Sequence, residues 1–533
     1  MWLPPGWETA AAPIATLLAP LGSPWTWWLA GILLLVAAAL SARRRPWVAV
    51  ALAAVGALAL AVAANGLVDD AYIQFRYAAN LAAGHGPVFN PGQRIEGASG
   101  GLWILVLGAL ARVLAIDPGI AARLLGLLMA AATVPVAAAA IRPLAGEAGA
   151  ARAAVLWAAY PTAALYGATG LETGAFALAL WLAVAAATTD STATAACAGI
   201  LVASLRPEGV LLAAAALPVW RLLPRGGRRV VLWTLGAGAV AAVLRTAYYG
   251  LPVPNSALVK GVTAAAGPLE GLAYLGRAAL ELLPVLLAAA FAARRSGRTL
   301  LLALPAVAWT SLVALRGGDW MPGSRYLLPL AVALILLAAG AQLRKPALFT
   351  LAAVAWCAVL LAPAERPTTP VAGGMWRAMA EHRVQSRWWE ALGTWLGATV
   401  PPGTTLAAGP VGALPYASRL PTFDLYGLCS PVVHHTPGQP GHRLWGLDQA
   451  VAAGSLVLYP GRPLPQDGDP ARLLRAAQSE VAGSPRVLLE YQPLALRHRP
   501  EHHTDVLADV IWLHRGLALR PSPPAQQSRS EKR

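Results

Sequence analysis

Charge is what this 533-residue sequence has least of. Asp, Glu, Lys and Arg together make up 12% of it, about half the share of an ordinary soluble domain, so a chain of this length lacks the ionic surface of a water-soluble globule. Cysteine is nearly absent as well. Cys197, Cys357 and Cys429 lie far apart and form no CxxC pair, which excludes a disulfide scaffold or a zinc ribbon and reads as small buried side chains. No HExxH occurs, and the histidine pairs His434–His435 and His502–His503 are mere neighbours, so a zincin site is excluded. There is no Walker A loop or GxGxxG fingerprint, and P-loop and nucleotide-cofactor chemistry lack their backbone signatures. The N-terminus has no basic n-region or cleavage site, so the first hydrophobic segment is expected to stay as an anchor.

What is present is hydrophobicity in blocks. Of the residues 57% are hydrophobic, and mean hydropathy is +0.55. Nearly uncharged runs of roughly 15–25 residues recur from Trp25 to Leu361, and a helix needs roughly 20 to cross a bilayer. The runs are rich in Ala and Leu and do not alternate, which favours helices over a barrel. The net charge of +16 sits largely in short turns between runs: Arg43–Arg45, then Arg225, Arg228 and Arg229, then Arg294, Arg295 and Arg298, then Arg344 and Lys345. That distribution argues against nucleic acid as a partner and for cytoplasmic turns under the positive-inside rule.

The pattern predicts a polytopic α-helical membrane protein with about 11–13 transmembrane or re-entrant helices in residues 1–363, and a C-terminal extracytoplasmic mixed α/β domain over 364–520. A disordered tail over 521–533 is expected from its polar, Pro- and Ser-rich composition. Spans at 25–41 and 47–66 place a long polar loop, 67–98, on the outer face. Six further runs, at 99–116, 121–140, 153–167, 171–188, 192–205 and 208–222, do not close the parity. If all six cross, the basic turn at Arg225–Arg229 falls outside, so one of them is re-entrant or two merge.

Charges that interrupt apolar surroundings are costly unless hydrated, paired or used, and this singles out a few residues. Asp69 and Asp70 follow directly on a span and head a polar-aromatic segment with Tyr72, Phe75 and Arg76 at helical spacing. They read either as solvated or capping acids or as reactive carboxylates pointing in different directions. Glu172 stands alone in GATGLETGAF; Arg206 and Glu208 form an island around Pro207 in SLRPEGV. The bland reading of these two sites is an internal ion pair or a boundary turn. Asp319 and Arg325 share the glycine-rich RGGDWMPGSRY, where backbone N–H groups and a guanidinium suit a phosphate.

The segment DDAYIQFRYAANLAAGHGPVFNPGQRIEGASGGLW, with TGLETGAF, SLRPEG, RGGDWMPGSRYLLP and FDLYGLCSP around Asp424, resembles the GT-C fold bacterial membrane glycosyltransferases, and within them the terminal β-(1→2) arabinofuranosyltransferase group. The resemblance runs from about residue 60 to 435. Relatives commonly carry an aromatic residue and a threonine where this chain has Ala98-Ser99-Gly100. The resemblance implies an inverting transfer of a sugar, arabinofuranose among the candidates, from a polyprenyl-phosphate donor to a glycan or glycolipid acceptor outside the bacterial inner membrane, by a monomer. A transporter or lipid flippase is the alternative class. Asp69 is the first candidate for the catalytic base and Asp70 the second. Arg325, then Arg206, then Arg76 or His85 are expected to hold the donor phosphate, with Glu172, Glu208 and Asp319 beside it, and Asp424 and Tyr426 to contact acceptor. A divalent cation (Mg²⁺, Mn²⁺ or Ca²⁺) on Asp69 and Asp70 is compatible with their oxygen ligands.

Overall fold

The computed structural model describes residues 23–263, 268–293, 297–319, 321–340, 345–363, 374–430, 447–459, 464–465, 484–498 and 507–520. The tail 521–533 and both histidine pairs lie outside them.

The molecule is a polytopic helical membrane protein with a mixed α/β domain at its C-terminal end. The helices Pro24–Ser41 and Pro46–Ala63 form a hairpin around Arg43–Arg45, each opening on a proline, which costs no hydrogen bond in a first helical turn. Among the described residues four helices are long and apolar enough to cross a bilayer: these two, Pro118–Ala158 and Arg225–Tyr249. A fifth candidate is the pair Leu269–Glu281 and Leu283–Phe291, bent by 83°, and six shorter apolar helices complete the module. The expected 11–13 segments are approached only by counting these short helices. Pro118–Ala158 is two helices, broken at Gly146 (φ 65°, ψ −173°), with the exposed pair Arg142–Glu147 at the break.

The run 99–116 does not cross. Its helix, Gly101–Leu114, has 14 residues, no fewer than Thr192–Leu205, so its surroundings and not its length set it apart. Both its flanks touch the C-terminal domain. A Cβ on Gly97 would lie 2.2 Å from Cys429 Sγ, and Tyr416 Oη donates to Asp117 Oδ2 at 2.6 Å. With this helix lying along the domain face, five runs remain between the outer loop and Arg225, and the parity closes. Other contacts agree: Arg229 pairs with Asp190 and Thr188 donates to Ala140 O, all at the opposite face.

In the C-terminal domain the helix Gly374–Thr399 buries Trp388 and Trp395 beside a six-stranded sheet. The strands are β1 (Leu406–Ala408), β2 (Thr422–Asp424), β3 (Val457–Tyr459), β4 (Leu464–Pro465), β5 (Tyr491–His498) and β6 (Leu507–His514), in the order β2-β1-β3-β6-β4, with β5 along β6. β1 pairs in parallel with β2 and β3; β6 is antiparallel to its neighbours. The domain is bolted to the membrane module by Arg383, whose Nη1 donates to Ala64 O (2.9 Å) and Asn65 O (3.0 Å).

Candidate active site

The site is organised by the helix Asp69–Ala82, which begins just after extended Val68 and carries both aspartates in its first turn, where the helix dipole favours negative charge. Residues three and four apart share a face of a helix. Asp69, Tyr72 and Arg76 therefore look one way, Asp70 and Gln74 the other.

The first face meets the C-terminal domain. Asp69 Oδ1 accepts from Ala413 N at 2.7 Å. The approach is so close that a Cβ on Gly412 would stand 2.0 Å from the Asp69 carbonyl and 2.5 Å from Oδ1, so glycine is required there. Burial pushes the half-buried Asp69 carboxyl up to about 7, opposed by the Ala413 N–H, reinforced by Asp70, and opposed again by the Gly412 N–H. Tyr72 Oη donates to Glu390 Oε2 at 3.0 Å, and the Tyr72 and Tyr416 rings meet edge to face, 5.6 Å between centroids. Burial also lifts Glu390 to about 7.

Arg76, expected near phosphate, is committed elsewhere. It donates to Phe89 O (2.8 Å), Pro415 O (2.5 Å), Leu420 O (2.7 Å) and Asn90 Oδ1 (3.0 Å) and stacks over Phe89. Its guanidinium ties the loop and the domain together and has no face left for a ligand.

The second face meets the membrane module, and here most of the singled-out charges converge. Asp70 Oδ2 lies 3.8 Å from Arg325 Nη2, and Arg325 Nε donates to Asp319 Oδ2 at 2.6 Å. Gln74 Nε2 donates to Glu172 Oε2 at 2.7 Å. Glu172 Oε1 is 3.4 Å from Arg206 Nε, and Arg206 Nη2 is 3.3 Å from Glu208 Oε1. Both arginines lie over the Tyr326 ring, at 5.1 and 5.4 Å. Arg206 is 3% exposed and Arg325 5%, while the Asp70 side chain is 27% open. Pro207 causes part of this: the helix Thr192–Leu205 stops at extended Arg206 before a new helix starts at Glu208.

Arg206, Glu208, Arg325, Tyr326, Phe176 and Trp309 line a narrow crevice. Leu212 and Pro329 continue from its wall into a cavity of about 160 Å³ between the bundle helices. That cavity is lined almost wholly by Ala, Val and Leu, with Thr234 as a polar exception. Glu208 Oε2, on the carboxylate that pairs with Arg206, is buried without a hydrogen-bond partner, and so is Gln74 Oε1, which faces Gly100.

Three other expected residues stand apart. His85 is exposed in the turn beyond the far end of the 14-residue helix, about 20 Å from the aspartates. Asp424, expected to contact acceptor, is 0% exposed. Its Oδ1 accepts from Tyr426 N (2.8 Å) and Gly427 N (3.2 Å), and its Oδ2 from Cys429 N (2.7 Å). Burial still pushes it up to about 6 against those donors, so its work is to fold the turn that packs on Gly97. Half-buried Tyr426 belongs to that turn.

Asp69 and Asp70 do not form a joint cation site. They point about 100° apart on their helix, an N–H occupies Asp69 Oδ1, and among the described residues no three His, Cys, Asp or Glu side chains gather. A metal clasped by the pair does not fit this geometry.

Sequence reasoning missed Gln74, Tyr326, Trp309 and Glu390. Gln74 had a signal, lying one turn after Asp70; Glu390 had none, because its partner Tyr72 is 318 residues away.

A helical membrane module whose first long loop opens on the helix of the two aspartates, with an α/β domain at the C-terminal end, matches the architecture of the GT-C fold. The solved structure of ArnT from Cupriavidus metallidurans bound to undecaprenyl phosphate superposes with a TM-score of 0.53 at 14% identity, covering 86% of this chain and 96% of that one. A terminal β-(1→2)-arabinofuranosyltransferase of Mycobacterium tuberculosis is 32% identical over 222 residues, 36% of this chain. The chain matches about a third of that relative's length, 35%. Residues 376–492 match a domain of unknown function, DUF8728.

Proposed function

We propose that this protein is an inverting glycosyltransferase that takes a sugar from a polyprenyl phosphate and transfers it to a glycan or glycolipid hydroxyl on the extracytoplasmic side of a bacterial inner membrane. One observation carries the reading: two buried arginines line a crevice whose wall continues into an apolar cavity, with an accessible carboxylate beside them. A polyprenyl phosphate has that polarity, an anionic head on a long apolar chain. Arg325 and Arg206 supply paired donors to phosphate oxygens, and the cavity takes the adjoining isoprene units. The basic turns Arg43–Arg45 and Arg225–Arg229, between apolar helices, support the orientation.

The acceptor hydroxyl attacks the anomeric carbon from the side opposite the phosphate. The new C–O bond forms as the bond to the phosphate oxygen breaks, polyprenyl phosphate leaves, and the hydroxyl proton passes to a carboxylate. Asp70 is the better placed base, because it is the open carboxylate on the side of the helix where the donor sugar would be held and can meet the incoming hydroxyl, whereas Asp69 is taken up by the domain. This reverses the order that sequence position suggested. Asp69 and the Gly412–Ala413 turn then set the angle of the helix that carries Asp70. The sequence relative supports arabinofuranose as the sugar.

Purified protein in nanodiscs is incubated with radiolabelled decaprenyl-phosphate arabinofuranose and an arabinan oligosaccharide, alongside other polyprenyl-phosphate sugars. Transfer to one donor, abolished by Asp70→Asn with donor binding intact, is the expected result. No turnover with any donor, combined with solute uptake or lipid scrambling in proteoliposomes, overturns the reading in favour of a transporter or flippase.

A further inference from the structure

Gln74 sits one turn after Asp70, on the face of the helix that meets the membrane module, and it is the neutral member of a row of charges. Its Nε2 donates to Glu172 Oε2 at 2.7 Å, and Glu172 Oε1 lies 3.4 Å from Arg206 Nε. All three side chains are buried. A carboxylate only accepts hydrogen bonds, so Glu172 divides its two oxygens between an amide and a guanidinium. The amide fixes the carboxylate without competing for its charge, which stays available to Arg206. Gln74 Oε1 has no hydrogen-bond partner. An amide buried at that cost is in place for the bond its N–H makes.

The backbone packs closely around this link. A Cβ on Gly100 would stand 2.8 Å from Gln74 Oε1, so the end of the outer loop closes on the amide from behind. The turn that leads to Glu172 is docked on the same helix. Val68 N donates to Thr169 O at 3.3 Å, and a Cβ on Gly170, whose φ is 85°, would meet Phe75 Cζ at 2.7 Å. Trp103 Nε1 donates to Gly170 O at 3.0 Å. Arg206, by contrast, extends from the end of another helix, Thr192–Leu205, and its guanidinium lies 5.6 Å from the Phe176 ring centroid. Glu172 is the joint between the helix of Asp70 and this arginine.

We infer that Gln74 is a positioning residue for donor binding: through Glu172 it holds Arg206 where the donor phosphate is met, so the helix that carries Asp70 also fixes one of the two phosphate arginines. The inference rests on Arg206 being a phosphate ligand. In this role Gln74 touches neither phosphate nor sugar; it acts on affinity for the donor head, not on the chemical step.

The test measures binding of undecaprenyl phosphate to full-length protein in nanodiscs, with folding checked by thermal unfolding and size exclusion. Arg206→Met is expected to weaken binding by at least about tenfold; if it binds like wild type, the phosphate reading of Arg206 fails, and the inference with it. Given that loss, Gln74→Met, which keeps the length of the side chain and removes its N–H, should weaken binding about fivefold. In a Glu172→Met background the same substitution should cost less than about twofold, because the group it acts through is gone. A residue that merely supported the fold would cost the same in both backgrounds. In turnover assays the Gln74→Met loss should appear in donor KM with kcat unchanged. Wild-type affinity in Gln74→Met overturns the inference, and so does an equal loss with and without Glu172. A fall in kcat at unchanged affinity also overturns it, since Gln74 would then act on Asp70 and not on Arg206.

Discussion

Replacing Asp69 by Asn should make the protein more stable at alkaline pH and leave its stability at pH 4 almost unchanged. In the folded protein this carboxyl titrates near 7, against 3.8 for the free group, so the folded state keeps a proton that the unfolded chain has released. Below about pH 4 both states are protonated and ionisation costs nothing. As pH rises from 4 to 7 only the unfolded chain gains from ionising, and folding stability falls. Above 7 the cost is complete. At about 1.4 kcal/mol per pH unit the bound is on the order of 4 kcal/mol. Asp69 is only half-buried, which screens its charge, so about 1–2 kcal/mol is the expected magnitude. The asparagine side chain would accept the Ala413 N–H through its amide oxygen and carry no charge. Thermal unfolding of wild type and Asp69→Asn in detergent, from pH 4 to 8.5, measures the difference. It should open between pH 4 and 7 and then stay level. A difference that is flat across this range, or a variant less stable at pH 8, refutes the account of a carboxyl held against its charge. The same variant should retain transfer activity within about tenfold of wild type, while Asp70→Asn loses about 10²-fold or more, the usual worth of a general base.

Arg76→Leu removes the charged donor shared by the Phe89, Pro415 and Leu420 carbonyls, each of which keeps another donor. At roughly 1–3 kcal/mol each it should lower the melting temperature and speed tryptic release of the C-terminal domain; unchanged proteolysis would remove Arg76 from the docking role. Arg206→Lys keeps the charge beside Glu172 and Glu208 but loses the paired donors, so donor KM should rise about tenfold with kcat intact, read from initial rates. Because the two aspartates face apart, turnover should survive exhaustive chelation with EDTA. A loss restored by adding back Mg²⁺ or Mn²⁺ would place a cation on one of them with phosphate and water as its remaining ligands.

Much of the site was legible because charge is conspicuous in an apolar chain. Asp70, Glu172, Arg206, Glu208, Asp319 and Arg325 stood out one by one against Ala and Leu, and they meet around a single crevice. The same reasoning misjudged Arg76 and Asp424, since a polar residue that satisfies backbone carbonyls or N–H groups looks in sequence like one that waits for a ligand. It left open which of the six runs from 99 to 222 fails to cross, because hydropathy does not report where the two ends of a helix lie.

Composition and periodicity alone determined that this is a helical membrane protein, which turns are basic, and which charges are expensive enough to need a purpose. Those properties follow from transfer free energies, which each residue carries wherever it stands. Only the tertiary structure decided which aspartate faces the arginines. Neighbours on a helix point about 100° apart, so one position separates a carboxylate that meets Arg325 from one that meets Ala413. That choice depends on how the helix is rotated between the domain and the bundle, and the rotation is set by Gly412, Glu390 and Glu172, which the chain brings together from far apart.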